Sequence, residues 1–295
     1  MKILIFGVSG MLGSTIFRYL SEQSEHTVVG TLRNQNDLYF FPKHLHDNIR
    51  LPVDVLDHDS VVRLFSEIFP DVVINCVGVI KQLASANDPL TVLPINSLLP
   101  HRLSHLCNLC NTRLIHVSTD CVFSGTQGNY LESDVSDAQD LYGKSKYIGE
   151  ISDQKHAVTL RTSIIGHELR SRHALVDWFL SSSDQVNGFT RAIFSGLPTI
   201  ELSRVIHKYV LPNTDLHGLY HVSAQPISKY QLLTLIAERY DKQIQILPTE
   251  DVVIDRSLNS ACFKDATDYH SPDWPSLIDT MYYHFLHTKG QTDVR

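Results

Sequence analysis

The sequence predicts an α/β fold, in which a doubly wound parallel sheet is joined to a smaller C-terminal lobe. Three observations predict it: short apolar runs alternate with helical stretches, a glycine-rich turn joins the first run to the first helix, and polar residues follow several of the runs. Strands that alternate with helices at this spacing form parallel sheets with helices on both faces. Ligands of such sheets bind outside the carboxyl ends of the strands.

The predicted strands are short apolar runs of the kind found in buried parallel sheets. They cover residues 1–6, 26–31, 51–54, 71–78, 113–118 and 157–161. Helices are predicted over residues 14–20, 60–69, 96–110, 142–153 and 228–237, the last of them starting at Ser228. This order brings the glycine-rich turn, residues 75–78 and residues 118–120 to one edge of the sheet, where a common crevice is expected.

The turn after the first strand carries glycines at positions 7, 10 and 13. Glycines at such a turn permit close approach of the backbone to a pyrophosphate, which the N–H groups and the positive dipole end of the following helix attract. The spacing G-x-x-G-x-x-G differs by one residue from the G-x-G-x-x-G fingerprint. Its place between strand and helix predicts a Rossmann-like dinucleotide site. A plain glycine-rich turn is the alternative.

Tyr142 and Lys146 lie four residues apart on a predicted helix, and therefore on one face of it. A free tyrosine has a pKa of about 10, and a nearby lysine cation favours the phenolate and lowers that pKa. A hydroxyl from Thr119, at the end of the fifth strand, would hold a carbonyl oxygen against the tyrosine. These groups would allow a hydride donor to reduce a ketone. A surface Tyr/Lys pair is the alternative interpretation of this spacing.

The composition is that of an ordinary globular enzyme. Of the 295 residues, 43% are hydrophobic and 19% charged, and the formal net charge is -7, which argues against nucleic acid as a partner. No apolar run approaches the length of a membrane span, so no membrane partner is expected. The five cysteines suit reduced thiols in a cytoplasmic protein, and the scattered histidines give no metal-ligand spacing, so no metal site is predicted.

Short motifs accompany the glycine turn over most of the chain. They are V-S-T-D-C-V-F-S-G at 117–125, L-Y-G-K-S-K at 141–146 with G-E at 149–150, L-R-T-S at 160–163, G-L-P-T at 196–199 and G-L-Y-H-V at 218–222. In this combination the chain resembles the extended short-chain dehydrogenases/reductases, and most of all their dTDP-4-dehydrorhamnose reductase branch. The resemblance implies a Rossmann-like sheet, a nicotinamide cofactor and a nucleotide-linked sugar as substrate.

The resemblance also implies a role for each residue of the pocket. Tyr142 would protonate the nascent alkoxide, Lys146 would lower its pKa and bind the nicotinamide ribose, and Thr119 would hydrogen-bond the carbonyl. The other implied cofactor contacts are Gly7, Ser9, Gly10, Met11, Leu12 and Gly13 at the pyrophosphate, Asp54 and Val55 at the adenine, and Val77 and Gly78 at the nicotinamide-side ribose. The implied substrate contacts are Thr119, Asp120, Cys121, Tyr142 and Ile164. Asn96 matches a position that is structural in the family.

The end of the second strand bears on the choice of cofactor. An NAD-preferring site usually has an acidic residue there for the ribose hydroxyl. This chain has no acid in G-T-L-R-N at 30–34, but it has Arg33, which can pair with a 2′-phosphate. NADP(H) is therefore favoured, and NAD(H) is the alternative.

Two departures from the family pattern concern the substrate. The dTDP-4-dehydrorhamnose reductases have a tyrosine at the position of Cys121 and tend to have a tryptophan at the position of Ile164. The loss of two large aromatic groups enlarges the pocket. A bulkier sugar, such as a UDP-linked 2-acetamido-2,6-dideoxy-4-keto hexose, is a hypothesis on that ground.

The resemblance divides the chain into two parts. Residues 1–165 with about 190–222 are expected to form the dinucleotide-binding Rossmann domain, and residues 166–189 with 223–295 the smaller substrate-binding lobe. In that lobe and its surroundings, Arg191, Lys229 and Arg256 are candidates for the nucleotide diphosphate, although surface charges are the preferred interpretation. Because the family often makes dimers, a homodimer is an expected assembly.

Three functions compete. The leading one is NADPH-dependent reduction of the C4 ketone of a dTDP- or UDP-linked 4-keto-6-deoxyhexose, for surface polysaccharide synthesis. The second is a nucleotide-sugar epimerase or dehydratase. The Asp120-Cys121 pair counts against dehydration, because dehydratases usually place Asp-Glu beside the threonine. The third is a non-catalytic, dinucleotide-binding regulatory subunit.

Overall fold

A seven-stranded sheet and three small sheets make up the strands of the computed structural model, which describes residues 1–81 and 84–293. The strands are β1 (Lys2–Phe6), β2 (Thr27–Thr31), β3 (Ile49–Arg50), β4 (Val72–Asn75), β5 (Arg113–Thr119), β6 (Ala157–Thr162), β7 (Ile164–Ile165), β8 (Gln185–Phe189), β9 (Ala192–Phe194), β10 (Leu197–Pro198), β11 (Gly218–His221), β12 (Ile227–Ser228), β13 (Gln245–Thr249) and β14 (Ile254–Asp255).

Helices cover both faces of the large sheet and build much of the C-terminal third. The α-helices are α1 (Met11–Gln23), α2 (His58–Ile68), α3 (Pro89–Val92), α4 (Leu99–Leu109), α5 (Leu141–Ile148), α6 (Leu175–Ser181), α7 (Thr199–Val205), α8 (Lys229–Arg239), α9 (Ala261–Thr267) and α10 (Trp274–Asp293). Short π-helical turns at Leu93–Leu98 and Ile206–Val210 adjoin α4 and α7. None of the helices in the described ranges combines the length and apolar character needed to cross a bilayer.

The large sheet has the strand order β3-β2-β1-β4-β5-β6-β11, and all its neighbouring strands are parallel. The order reverses between β1 and β4, which is the switch point where a crevice opens outside the strand ends. Phe6 pairs with Asn75 and Thr119 with Thr162, so the carboxyl ends of these strands meet at one edge. The predicted α/β class with a Rossmann-like doubly wound parallel sheet is confirmed.

The apolar runs of the strands are explained by burial on both faces of the sheet. Ile3 and Ile5 point into the core on one face of β1, whereas Leu4 and Phe6 point into the core on the other. All four side chains are fully buried. Continuous apolar runs, rather than alternation of polar and apolar residues, follow from this two-sided burial.

Two predicted boundaries are wrong. The third strand was expected at residues 51–54, but β3 consists of Ile49–Arg50 and the chain then leaves the sheet at Pro52, which has no N–H for a ladder. The helix expected over 142–153 ends at Ile148, because Gly149 passes so close to the Asn96 carbonyl that a Cβ would lie 2.0 Å from that oxygen. The chain turns away there and directs Glu150 into the core.

The C-terminal half of the chain carries three small sheets: β10-β7, β12-β9-β14 and β13-β8. The predicted start of α8 is confirmed, because Ser228 caps the helix and forms a capping box with Gln231. From the small sheets, β14 contacts the segment that follows β5 of the large sheet: Asp255 N donates to Gly125 O at 2.8 Å. This contact places the segment after β14 beside the crevice.

Candidate active site

The glycine turn forms the first wall of the crevice. Gly7 has a φ of +86°, and a Cβ at this position would lie 3.0 Å from Val77 Cγ2. At Gly13 a Cβ would lie 2.2 Å from Gly7 O, so the first turn of α1 packs directly on the loop. Gly10 is the N-cap of α1, and because glycine has no side chain, no cap hydrogen bond covers the helix end. The N–H groups of this end are therefore available to an anion.

The remaining residues predicted at the pyrophosphate divide between surface and core. Ser9, Gly10 and Met11 are at least partly exposed at the turn, whereas Leu12 is only 6% exposed and packs in the core. Leu12 can therefore offer a backbone N–H to a ligand, while its side chain anchors the helix. The residues present fit a dinucleotide pyrophosphate.

The positions predicted to contact the adenosine lie at the neighbouring strand ends. Val53 N donates to Leu32 O at 2.9 Å, which holds the segment after β3 against the end of β2. Arg33 follows there and is exposed. Asp54 is also exposed and accepts from Leu56 N at 3.0 Å, and Val55 packs partly buried against the core. The structure thus brings Arg33, Asp54 and Val55 to the same sheet edge.

A fully buried amide joins the loop after β4 to the helix that carries Tyr142. Asn96 Oδ1 accepts from Val79 N at 2.8 Å, and Asn96 Nδ2 donates to Val79 O at 3.1 Å and to Ser145 Oγ at 3.2 Å. The loop contains Val77 and Gly78, the residues predicted beside the nicotinamide-side ribose. Asn96 therefore fixes two walls of the crevice relative to each other, as a structural residue.

Lys146 is buried behind the crevice. Its Nζ donates to Val117 O at 2.8 Å, and the residue is 6% exposed. Burial lowers the pKa of Lys146 to about 8, while the nearby Glu150 and Cys76 act in the opposite direction. The side chain is thus a cation at neutral pH with a pKa within reach of the physiological range.

Tyr142 differs from the prediction in its proton affinity. The sequence predicted that Lys146 lowers the pKa of Tyr142, but burial raises that pKa, and the neighbouring Cys121 raises it further. A hydrogen bond with the Thr119 hydroxyl partly opposes the shift. The prediction of a lowered pKa is wrong because helical spacing does not reveal burial, which is the largest effect on the pKa of this phenol. Tyr142 is therefore a neutral phenol, the form that can donate a proton.

The turn after β5 brings Thr119, Asp120 and Cys121 together beside Tyr142. Thr119 Oγ1 accepts from Cys121 N at 3.1 Å and donates to Asp120 Oδ1 at 3.2 Å. Gly143 allows α5 to pack on this turn, because a Cβ there would lie 2.2 Å from Cys121 O. Burial raises the pKa of the Asp120 carboxyl, an effect that the Arg256 guanidinium opposes. Burial raises the pKa of the Cys121 thiol to about 12.

Ile164 lies at the same edge of the sheet. It follows Thr162, whose β6 position pairs with Thr119 of β5. In β7, Ile164 pairs with Leu197 of β10 and remains half-buried. Of the residues predicted at the substrate, Thr119, Asp120, Cys121 and Ile164 therefore lie at or just after the ends of β5 and β6, and Tyr142 lies on α5.

Glu150 and Arg161 form a buried ion pair behind the pocket, which the sequence analysis did not predict. Glu150 Oε1 accepts from Arg161 Nε at 2.7 Å, and Glu150 Oε2 accepts from Arg161 Nη2 at 2.6 Å. The side chains are only 5% and 3% exposed, and Ser118 Oγ donates to Glu150 Oε1 at 2.6 Å. The motifs G-E at 149–150 and L-R-T-S at 160–163 were the signal that could have found it.

Side chains able to ligate a metal do not form a cluster of three or more in the part of the chain that the structure describes.

Comparison with known proteins agrees with this geometry. The RmlD substrate binding domain matches residues 1–259. The chain belongs to this family. A probable low-salt glycan biosynthesis reductase from Haloferax volcanii is 34% identical over 235 residues, which are 76% of this chain and 75% of that protein. The predicted resemblance to the dTDP-4-dehydrorhamnose reductases and related extended short-chain dehydrogenases/reductases is confirmed, and with it an oxidoreductase family.

Two further proteins similar to this chain carry other names. The methionine adenosyltransferase 2 subunit beta of Mus musculus is 26% identical over 252 residues, covering 81% of this chain and 72% of that protein. A crystal structure of dTDP-4-dehydrorhamnose reductase from Bacillus anthracis in complex with NADP superposes with a TM-score of 0.77 at 20% identity. The superposition covers 96% of this chain and 98% of the Bacillus anthracis chain, which shows that the two proteins share a fold.

Proposed function

We propose that the protein is an NADPH-dependent reductase of the C4 ketone of a nucleotide-linked 4-keto-6-deoxyhexose. The observation that carries the proposal is the placement of Thr119, Tyr142 and Lys146 on adjacent elements at the sheet edge that also holds the glycine turn. The combination provides a dinucleotide site and a proton donor in one crevice. The name of the Haloferax volcanii relative, a probable low-salt glycan biosynthesis reductase, supports a role in glycan biosynthesis.

The glycine turn would hold the cofactor. Its pyrophosphate would lie at the N-terminus of α1, against the backbone of Gly10 and Met11, with Gly7 and Gly13 permitting the close packing described above. When bound, the nicotinamide supplies the hydride. Arg33 is exposed beside the expected position of the adenosine 2′-phosphate, which favours NADPH, and the NADP complex of the Bacillus anthracis enzyme supports the same choice.

The proton would come from Tyr142. Thr119 Oγ1 would hydrogen-bond the substrate carbonyl and hold it against the phenol. The phenol O–H would transfer its proton to the carbonyl oxygen as that oxygen gains negative charge, so that the oxygen becomes a hydroxyl. The Lys146 cation, fixed by Val117 O, stabilises the phenolate that forms.

The substrate would be a hexose larger than the unsubstituted 6-deoxy sugar. Cys121 and Ile164 leave room where two aromatic side chains were expected, and both residues are only partly buried. A UDP-linked 2-acetamido sugar fits that space better than it would fit the aromatic pocket. A dehydratase is disfavoured, because Asp120 is followed by Cys121 rather than by the glutamate that dehydratases usually have there.

A regulatory subunit is the second candidate. The similarity to methionine adenosyltransferase 2 subunit beta over 81% of the chain favours it. In that case the dinucleotide site would bind its cofactor without turnover. The Thr119, Tyr142 and Lys146 set supports the enzyme instead.

The test is oxidation of NADPH, followed by absorbance, with enzymatically generated dTDP- and UDP-linked 4-keto-6-deoxyhexoses, with and without a 2-acetamido group. We expect consumption with one of these substrates and its loss in Tyr142→Phe. Tight NADPH binding without turnover of any substrate would instead support the regulatory subunit.

A further inference from the structure

Arg256 follows β14 and is held rigidly against the turn that carries Thr119. The segment around it is hydrogen-bonded along residues 125–130: Asp255 N donates to Gly125 O at 2.8 Å, and Tyr130 N donates to Ser257 O at 2.9 Å. Both are backbone contacts and do not depend on surface side chains. The Cα of Arg256 therefore has a fixed position at the rim of the crevice.

The side chain is fixed as well. Gly125 has a φ of +89°, and a Cβ there would lie 3.0 Å from Arg256 Cγ, so the arginine stem crosses the chain where only glycine leaves space. Arg256 Nε donates to Phe123 O at 2.7 Å. One of the five guanidinium donors is thus used for anchoring, and the fork at the far end is oriented by it.

The fork points to the residue in which the chain departs from its family. Arg256 Nη1 lies 3.8 Å from Cys121 Sγ. The thiol and the guanidinium therefore lie side by side, at the position where the family pattern has an aromatic ring.

Three carboxylates lie near the guanidinium, and each also has another partner. Asp120 accepts from Thr119 Oγ1 at 3.2 Å, and Asp137 accepts from Ser124 N at 2.6 Å. Asp140 accepts from Lys81 Nζ at 2.6 Å and caps α5. Among the ion pairs of residues 1–81 and 84–293, none includes Arg256. Arg256 donates to Phe123 O and Cys121 Sγ, so its remaining N–H groups are available to a ligand with oxygen acceptors.

We propose that Arg256 is the residue with which the pocket recognises the sugar ring, by donating hydrogen bonds to oxygen substituents of the hexose. The proposal rests on the nucleotide-sugar function above. Cys121 N donates to Thr119 Oγ1 at 3.1 Å, so the guanidinium beside Cys121 lies close to the hydroxyl that holds the C4 carbonyl. In a hexopyranose C1 lies across the ring from C4. The diphosphate on C1 is thus directed away from Arg256, whereas the substituents next to C4 face it.

The experiment measures binding of unreactive probes to the full chain saturated with NADP. The probes are UDP, UDP-glucose and UDP-N-acetylglucosamine, and the dissociation constants are measured by calorimetry. In Arg256→Met we expect the affinity for both sugar nucleotides to fall about tenfold or more, as for loss of a charged hydrogen bond, with the affinity for UDP unchanged. Arg63→Met is the matched control, because Arg63 lies on α2, forms a 3.7 Å ion pair with Asp57 and is exposed. It should leave all three affinities unchanged.

Arg256→Lys keeps the positive charge and is a second test in case Arg256→Met does not fold. The lysine ammonium lacks the planar guanidinium that can donate to Phe123 O and to a ligand at the same time. Sugar-nucleotide affinity should therefore fall, while NADP affinity stays at the wild-type value. Equal losses for UDP and for the sugar nucleotides in Arg256→Met would assign the residue to the diphosphate and overturn the proposal. Unchanged affinities, or a wild-type protein that binds no sugar nucleotide, would overturn it too. Binding that depends on Arg256 without turnover of any ketone would overturn the reductase alone.

Discussion

Glu150 and Arg161 form a bidentate ion pair in the core, with N–O distances of 2.7 and 2.6 Å, and Glu150 lies just after the end of the helix that carries Lys146. The carboxylate holds up the pKa of Lys146 against the effect of burial, which lowers it to about 8. In the proposed reaction, Lys146 must be charged to stabilise the phenolate of Tyr142. The ion pair therefore links the rear of the pocket to the pH range in which the pocket can work.

Glu150→Gln should narrow that range from the alkaline side. The variant loses the negative charge and leaves the Arg161 cation unpaired near Lys146, so the pKa of Lys146 falls below about 8. The group acts as a cation, and activity is lost as pH rises through its pKa. We expect the alkaline limb of kcat/KM for ketone reduction to move to lower pH. Ser118→Ala removes only an uncharged donor to Glu150 and should leave the alkaline limb of kcat/KM at its wild-type pH. If the limb lies at the same pH in both variants, Glu150 does not control the pKa of Lys146.

Lys146→Met should stabilise the fold while it removes activity. The pKa of Lys146 is about 8 in the folded protein and about 10.5 when unfolded. The unfolded state therefore binds more protons between these values, and the wild type gains stability as pH rises through that window. Below it the charged side chain costs on the order of 3 kcal/mol, less what the bond to Val117 O returns. Denaturant unfolding should show the variant more stable at pH 7, with a smaller advantage above pH 10. A destabilised variant at pH 7 would refute the buried-cation account.

Gly13→Ala and Gly10→Ala should have opposite consequences. A Cβ at Gly13 would lie 2.2 Å from Gly7 O, and backbone cannot move aside cheaply, so the free energy of unfolding should fall by about 1–3 kcal/mol. At Gly10 the nearest heavy atom to a Cβ is 3.5 Å away, an ordinary contact. Gly10→Ala should therefore keep the melting temperature but weaken NADPH binding, because the methyl group stands between backbone and pyrophosphate. Melting curves and NADPH titrations of the two variants distinguish stability from binding.

Arg33→Ser should shift the choice of cofactor. If Arg33 pairs with the 2′-phosphate, the variant loses about tenfold or more in affinity for NADPH and little for NADH. Arg63→Ser, which removes an exposed cation from α2, serves as the control. Equal effects of Arg33→Ser on the two cofactors would show that the arginine does not read the phosphate.

The double variant Cys121→Tyr, Ile164→Trp should favour the smaller sugar. Two aromatic side chains would refill the enlarged pocket, so kcat/KM for the substrate without the 2-acetamido group should rise relative to the substituted one. The ratio of kcat/KM for the two substrates is the measurement. An unchanged ratio would show that these positions do not set the size of the sugar.

Features carried by neighbouring residues were predictable from the sequence. The turn from β1 into α1 follows from its glycines and the apolar run before them, and the position of Lys146 relative to Tyr142 follows from helical spacing. The early end of α5 was not predictable, because it depends on contact between Gly149 and the distant Asn96 carbonyl.

The same limit applies to electrostatics in the pocket. The raised pKa of Tyr142 reflects burial beside Cys121, which no local pattern encodes. Arg256 was interpreted as a surface charge for a similar reason: its contact with Phe123 O joins segments that are far apart in the chain.

That separation has a consequence for folding. Phe123 and Arg256 are 133 residues apart, and the backbone bonds around Gly125 and Tyr130 span comparable stretches of chain. Contacts of such long range form late, because the entropy of closing the intervening loop is lost before they contribute. During synthesis, the parallel sheet can assemble from β1 to β6 before the rim residues have been made. Enzymatic competence is thus expected to be the last property that a nascent chain acquires.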